Sequence, residues 1–278
     1  VIDRHMIAGI RMEGWTEHAV RVLADNAGPM TLEGTNSLVV QSPSSDRVVV
    51  VDPGPDHGEH LRTLVGCGEV ELILLTHHHT DHTEGAVTLS RMTGATVRAF
   101  DAELCVDAPP LRDREVIRAG GHEIEVVATP GHTTDSVCFH VSGGAPHAGA
   151  DGVMLTGDTI LGRGTTVLLG GDDALSDYLR SLTRLRQFGP VAVLPGHGGM
   201  HPSLTVVCDQ ILAHRQSRIA EVRAALRALA MVAATDEATI ATIVEHVYGA
   251  VDEGLLPAAR HSARAQLQYL ISEDRDAL

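Results

Sequence analysis

Residues 77–82 read HHHTDH, four histidines and an aspartate within six consecutive positions. Imidazole and carboxylate at that density are suited to holding a divalent metal ion. The apolar run "ELILL" ahead of them reads as a buried strand, along which successive side chains alternate faces. Extending the strand points His77 and His79 one way and His78 the other, so His78 is expected either to support the ligands from behind or to be structural. Asp81 and His82 fall where "TEGAV" begins to read as helix, and a turn there swings both toward the same cavity. Four ligands from one loop would suffice for a single structural site. Three further residues argue for more: His132 in "ATPGH" and His197 in "VLPGH" each follow a strand, a proline and a glycine, and Asp158 closes "VMLTGD". Together these make five histidines and two aspartates, more than one tetrahedral zinc can use. Two ions sharing one carboxylate would use them all. A donor set without thiolate suits zinc, with manganese or iron as alternatives.

The elements that must position these residues are short β-branched runs up to about residue 194: "SLVVQ", "RVVVVD", "VELILLT", "EIEVVAT", "SVCFHV", "VMLTGD" and "VAVLPG". Several end in Gly, Pro, Asp or His, the pattern of a strand running into a functional or turning loop. Helices are predicted in "TEGAVTLSRMTG" and in "DDALSDYLRSLTRLRQFG", the second with Leu175, Leu179, Leu182 and Leu185 on one face. Mixed strands and helices of this kind predict a layered α/β protein. From Ser203 the pattern turns helical, with Leu204, Val207, Ile211, Ile219, Val222 and Leu226 at helical spacing behind Pro202 and a Ser203 cap. Two further helices follow, "TDEATIATIVEHVYG" opening on a Thr or Asp cap and "PAARHSARAQLQYLIS" opening on proline. The expected domains are 1–202, carrying the chemistry, and 203–278, a small helical appendage.

Bulk composition sets limits on function. All 21 basic residues are arginine, against 36 acidic ones, for a net charge of −15. Such acidity disfavours indiscriminate binding to nucleic acid or to an anionic membrane, although a local basic stripe can still hold a polyanion. No apolar run approaches the roughly 20 residues of a membrane span, and "VIDRHMIAGI" lacks the apolar core of a secretion signal. Cys67, Cys105, Cys138 and Cys208 are scattered and read as reduced thiols of a cytoplasmic protein. Of the 17 histidines, His5, His18, His57, His60 and His147 lie outside any ligand spacing and read as plain surface or core residues.

"THHHTDH" resembles the HxHxDH signature of the metallo-β-lactamase superfamily, whose fold is a four-layer αββα sandwich, and "TPGHTTDS", "TGDT" and "LPGHG" follow in that superfamily's order. The resemblance implies a first metal held by His77, His79 and His132, a second held by Asp81, His82 and His197, and Asp158 bridging them. It also implies that Asp52, in "VVVDPG", supports the ligands from behind; the plainer reading is a turn residue before Pro53. The implied activity is hydrolysis by two zinc ions. Zinc lowers the pKa of bound water from 15.7 to about 7, so a metal-bound hydroxide is available at neutral pH, with Asp81 orienting it. Glu84 departs from the glycine that many members carry.

Superfamily membership leaves the substrate open. An aspartate at 158, where one β-lactamase subclass has cysteine and another has no bridge, disfavours antibiotic hydrolysis. With its helical tail the chain is similar to the β-lactamase-like protein 2 subgroup, which carries a winged-helix-like domain and includes endoribonucleases. "ISEDRDAL" leaves little chain for a wing, so that domain is expected to be shortened. The leading expectation is a phosphodiesterase acting on single-stranded RNA. Its rivals are a small-molecule thioester hydrolase of glyoxalase II type and, from another class, a nucleic-acid or partner-binding module without catalysis. Arg215 and Arg218, in an arginine-rich stretch from 180 to 227, and Arg163, in "GRGTTV", are the candidate substrate contacts. The alternatives are a solvated helix face for the stripe and a flexible connection for the loop. Aromatic residues make up only 3% of the chain, which disfavours base stacking and sequence-specific RNA readout.

Overall fold

Val48, Val49, Val50 and Val51 are all buried, and they divide between two cores. Val49 and Val51 join Leu38, Val40, Leu72 and Leu74 against Val126, Phe139, Val141 and Leu155, whereas Val48 and Val50 join Val39, Ile73 and Leu75 against Leu61, Leu64 and Leu89. The period of two that strands impose thus supplies both faces of one sheet, the inner to a second sheet and the outer to helices. In the computed structural model, residues 6–7, 10–143, 152–249, 254 and 256–276 are described, so His5 and His147 lie outside the described residues.

In chain order the elements are β1 (Met6–Ile7), β2 (Ile10–Gly14), β3 (Ala19–Leu23), β4 (Asn36–Val40), β5 (Arg47–Val51), α1 (Gly58–Val65), β6 (Glu69–Leu74), α2 (Thr80–Thr83), α3 (Ala86–Thr93), β7 (Thr96–Arg98), β8 (Val116–Ala119), β9 (His122–Ala128), β10 (Val137–Gly143), β11 (Val153–Gly157), α4 (Ala174–Leu185), β12 (Ala192–Pro195), α5 (Leu204–Ala228), α6 (Glu237–Tyr248) and α7 (Leu256–Asp276). The first sheet runs β1 to β7 in sequence order, and the second runs β12-β11-β10-β9-β8. Pairs β5–β6, β6–β7 and β11–β12 are parallel and the rest antiparallel. At the ends of β6 and β10 the two sheets are tied directly, Val137 N–H donating to the Thr76 carbonyl at 2.8 Å.

The chain divides into two compact units. The first, Val1–Thr129, Asp135–Thr166 and Phe188–Leu204, contains both sheets with α1 and α3. The second comprises Pro130–Thr134, Val167–Gln187 and Thr205–Leu278. In it α4, which the sequence assigns to the chemistry-bearing part, groups with the C-terminal helices, and Gln268 of α7 donates to Asp172 just before α4 at 2.5 Å. Asp236 caps α6, accepting from the N–H groups of Ala238 and Thr239 at 3.1 and 3.0 Å. Among the described residues no strand follows β12. Among the described residues none of the helices is long and apolar enough to cross a membrane, and the four cysteines are not joined in disulfides.

Candidate metal centre

The donors sit at strand ends, where the sheets stop and the backbone can turn. β5 gives way to Asp52, which adopts φ 53°, a left-handed conformation uncommon for any residue but glycine. That turn aims a carboxylate, 2% exposed, at the end of β6. Its Oδ1 accepts from the Thr76 N–H at 2.8 Å and its Oδ2 from the Thr76 hydroxyl at 2.6 Å and from His82 Nδ1–H at 2.8 Å. The Thr76 hydroxyl, donating to Asp52, accepts in turn from His77 Nδ1–H at 3.0 Å. Close approach requires two of the motif glycines. A Cβ at Gly157 would lie 2.5 Å from the Thr76 hydroxyl, and one at Gly196 would lie 2.8 Å from both Asp158 Oδ1 and His82 Cε1.

The ring nitrogens follow one pattern. Besides His77 and His82, His132 directs Nδ1–H at the Val167 carbonyl (2.7 Å) and His197 directs Nδ1–H at the Gly34 carbonyl (3.2 Å). Acceptors that cannot donate fix the proton on Nδ1 and leave Nε2 with the lone pair a metal needs. His79 has the opposite sense, its Nδ1 lying 3.0 Å from His77 Nε2.

Ligand atoms of Asp81, His82 and His197 lie within 4.8 Å of one another, as do those of His77, His82 and Asp158; His132 belongs to the second compact unit. Around His82 and His197 the distances are tighter. The two Nε2 atoms are 3.2 Å apart; Asp81 Oδ2 stands 3.4 and 3.1 Å from them, and Asp158 Oδ1 stands 3.5 and 3.4 Å from them. Four ligands at about 2.0–2.1 Å from one zinc would be separated by tetrahedral edges of about 3.3–3.4 Å. The donor set therefore fits a metal ion in chemistry and in size.

Electrostatics point the same way. Burial opposes a charge on His197, but hydrogen bonds with Asp158 and Asp81 outweigh it and push the ring up to about 10. Burial likewise opposes charge on His82, and Asp158, Asp52 and Asp81 raise it regardless. Burial would raise Asp158 and Asp81; the neighbouring imidazoles overrule it and hold both carboxyls below their usual range. Protons on the rings take the place of a cation, and metal and proton compete for the same lone pairs.

Arg215 is 4% exposed with its guanidinium 5.2 Å from the centre of the Tyr178 ring. Arg218 bonds Glu221 at 2.6 Å and lies over Tyr248. Arg163 is exposed and ion-paired to Glu33, next to Gly162, whose N–H donates to the His197 carbonyl. His78 is in neither ligand group; its Nδ1 lies against Asp135. Sequence reasoning missed Thr76, Asp135 and the carbonyls of Gly34 and Val167. Thr76 is legible only as the last residue before the first ligand; the others are set by tertiary contact.

Residues 30–197 match the metallo-beta-lactamase superfamily, and residues 239–275 match the beta-lactamase associated winged helix domain. The chain is 28% identical to a beta-lactamase-like protein 2 homolog of Drosophila melanogaster, over 94% of this chain and 90% of that one. It is 29% identical to an atrochrysone carboxyl ACP thioesterase of Aspergillus fumigatus, over 83% and 73%. A beta-lactamase domain protein from Burkholderia ambifaria shares the fold with a TM-score of 0.72 at 22% identity, over 95% of this chain and 88% of that one. With a matching model across more than half its length and the fold that family takes, this chain belongs to the metallo-beta-lactamase superfamily of hydrolases.

Proposed function

We propose that the protein is a dinuclear metal-dependent hydrolase of thioesters, with His77, His79 and His132 holding one ion, Asp81, His82 and His197 the other, and Asp158 shared between them. The observation that carries the hydrolase reading is the near-tetrahedral spacing of the four donors around His82 and His197. Zinc, or manganese or iron in its place, supplies Lewis acidity and acidified water when bound. The chain's own residues do the rest. Asp52 and Thr76 keep the protons of His82 and His77 on the nitrogens that face away from the site. Asp81, whose side chain is 28% exposed and held as a carboxylate by His197 and His82, orients the attacking water. Water adds to the carbonyl carbon, the carbon–sulfur bond breaks, and a carboxylic acid and a thiol leave.

The thioester assignment draws on two relatives named ACP thioesterases and on the place of one arginine, Arg163. A phosphodiester polymer needs several free cations. A small substrate needs only one cation. Arg163 is assigned to a polar end of that substrate, because an exposed pair such as Arg163–Glu33 is worth about 0–1 kcal/mol and exchanges at little cost. Met30 and Met200, 64% and 38% exposed on loops flanking Gly34 and His197, offer adaptable apolar contacts to an acyl group.

Zinc-loaded protein incubated with an aromatic acyl thioester and, separately, with labelled single-stranded RNA tests the assignment, with Asp81→Asn as control. Thiol release that the control lacks is expected. RNA cleavage with the thioester intact reverses the order of the two substrates, and inactivity on both leaves a binding module.

A further inference from the structure

His78 is the histidine of 77–82 that neither ligand group takes up. Its Nδ1 lies 2.7 Å from Asp135 Oδ1. Asp135 is 9% exposed, and its other oxygen is buried with no hydrogen-bond partner. A carboxylate left partly unsatisfied out of water costs stability, so an incidental surface pair would not be built this way.

The position of the pair suggests its use. Thr76 is fixed by Asp52 on one side and by Val137 N–H on the other. The His79 carbonyl is fixed by the N–H groups of His82 and Thr83 and by the Thr83 hydroxyl. Between those anchors the peptide of residues 77 and 78 belongs to no helix or strand, and the His78 side chain ties it down. The other end of the tie lies three residues beyond His132, in a loop closed at its base by Thr129 N–H donating to the Ser136 carbonyl at 2.8 Å. The His78–Asp135 bond, which uses no ligand, is therefore a side-chain tie between the segment carrying His77 and His79 and the loop that leads into β10.

We propose that Asp135 and His78 are positioning residues that set the spacing of His77 and His79, and hence the affinity of the ion those two histidines hold. The inference rests on the metal reading of the site and does not depend on the substrate. Metal-stripped protein titrated in buffers of graded free zinc, with cobalt absorption as a second reading, tests it. Wild type is expected to bind two ions. Asp135→Ala should weaken one of them about ten- to a hundredfold, the usual effect of removing a partner that orients a ligand, and leave the other unchanged. Asp135→Asn, which still accepts from His78, should recover most of the loss. His78→Gln provides the same comparison if Asp135→Ala does not fold. Two ions bound as tightly as in wild type by the folded variant, or both weakened equally, would overturn the proposal, as would a wild type that binds no zinc. Zinc uptake without thioester cleavage would remove the substrate reading and leave this one standing.

Discussion

At the scale of residues, both ligand groups lean on one carboxylate. Asp52 takes the Nδ1 proton of His82 directly and reaches His77 through the Thr76 hydroxyl. Asp52→Asn presents a donor where two donors already point, so zinc affinity should fall about ten- to a hundredfold in both groups. The metal-free protein should also lose about 1–3 kcal/mol, the cost of buried polar groups left unpaired; chelator competition and urea unfolding measure the two effects. Thr76→Val separates the branches. It removes the relay to His77 but leaves the Asp52–His82 bond, so the three-histidine ion alone should weaken. Equal weakening of both ions in that variant would argue against the relay. The left-handed backbone at Asp52 is consistent with a residue held in place for the site, so the two sequence readings of Asp52, turn and support, describe one residue.

At the scale of elements, α1 makes a separate prediction. His60 is 1% exposed and bonded to Ser37 of β4 at 2.8 Å, and burial, with the charge of His57, brings its pKa down to about 4. An unfolded histidine titrates near 6.5. Below that pH the unfolded chain takes up a proton that the folded one refuses, so this contribution to stability is complete above about 6.5 and is lost as pH falls toward 4. It amounts to something on the order of 3 kcal/mol. Urea unfolding at pH 7.5 and 4.5 should show a smaller acid loss in His60→Gln than in wild type, and an equal loss in both would refute the assignment.

The elements also mark where the sequence could be read. β4, β5, β6 and β11 stand where β-branched runs predict them, because strands buried on both faces show up as continuous apolar stretches. β2 and β3 carry Arg11, Glu13 and Arg21 among their apolar residues and offered no such run. On α4 the buried face is Leu175, Tyr178, Leu182 and Leu185, so the aromatic residue takes the place expected for Leu179. The predicted helix "TEGAVTLSRMTG" begins at Ala86 because Gly85 is held against Gly54, its N–H donating to the Gly54 carbonyl at 2.9 Å. Residues whose spacing announced a metal site were legible because ligand chemistry is local to the motif. Asp135 and Thr76 were not, because their partners are chosen by the packing of strands far apart in sequence.

At the scale of the whole molecule, a net charge of −15 leaves little to attract a polyanion. Labelled single-stranded RNA should show no saturable binding even at low salt, where electrostatic attraction is greatest; binding that weakens steeply with added salt would restore the nuclease reading. Metal is expected to matter to the fold as well as to the chemistry. An ion at about a thousand times its Kd adds about 4 kcal/mol to folding stability, so a chelator should lower the unfolding temperature. The most direct test of the account is an anomalous difference map from crystals grown with zinc. Two peaks are predicted, one within bonding distance of His77 Nε2 and His79 Nδ1, the other within bonding distance of His82 Nε2, His197 Nε2, Asp81 and Asp158. A single peak, or zinc bound away from these atoms, would contradict it.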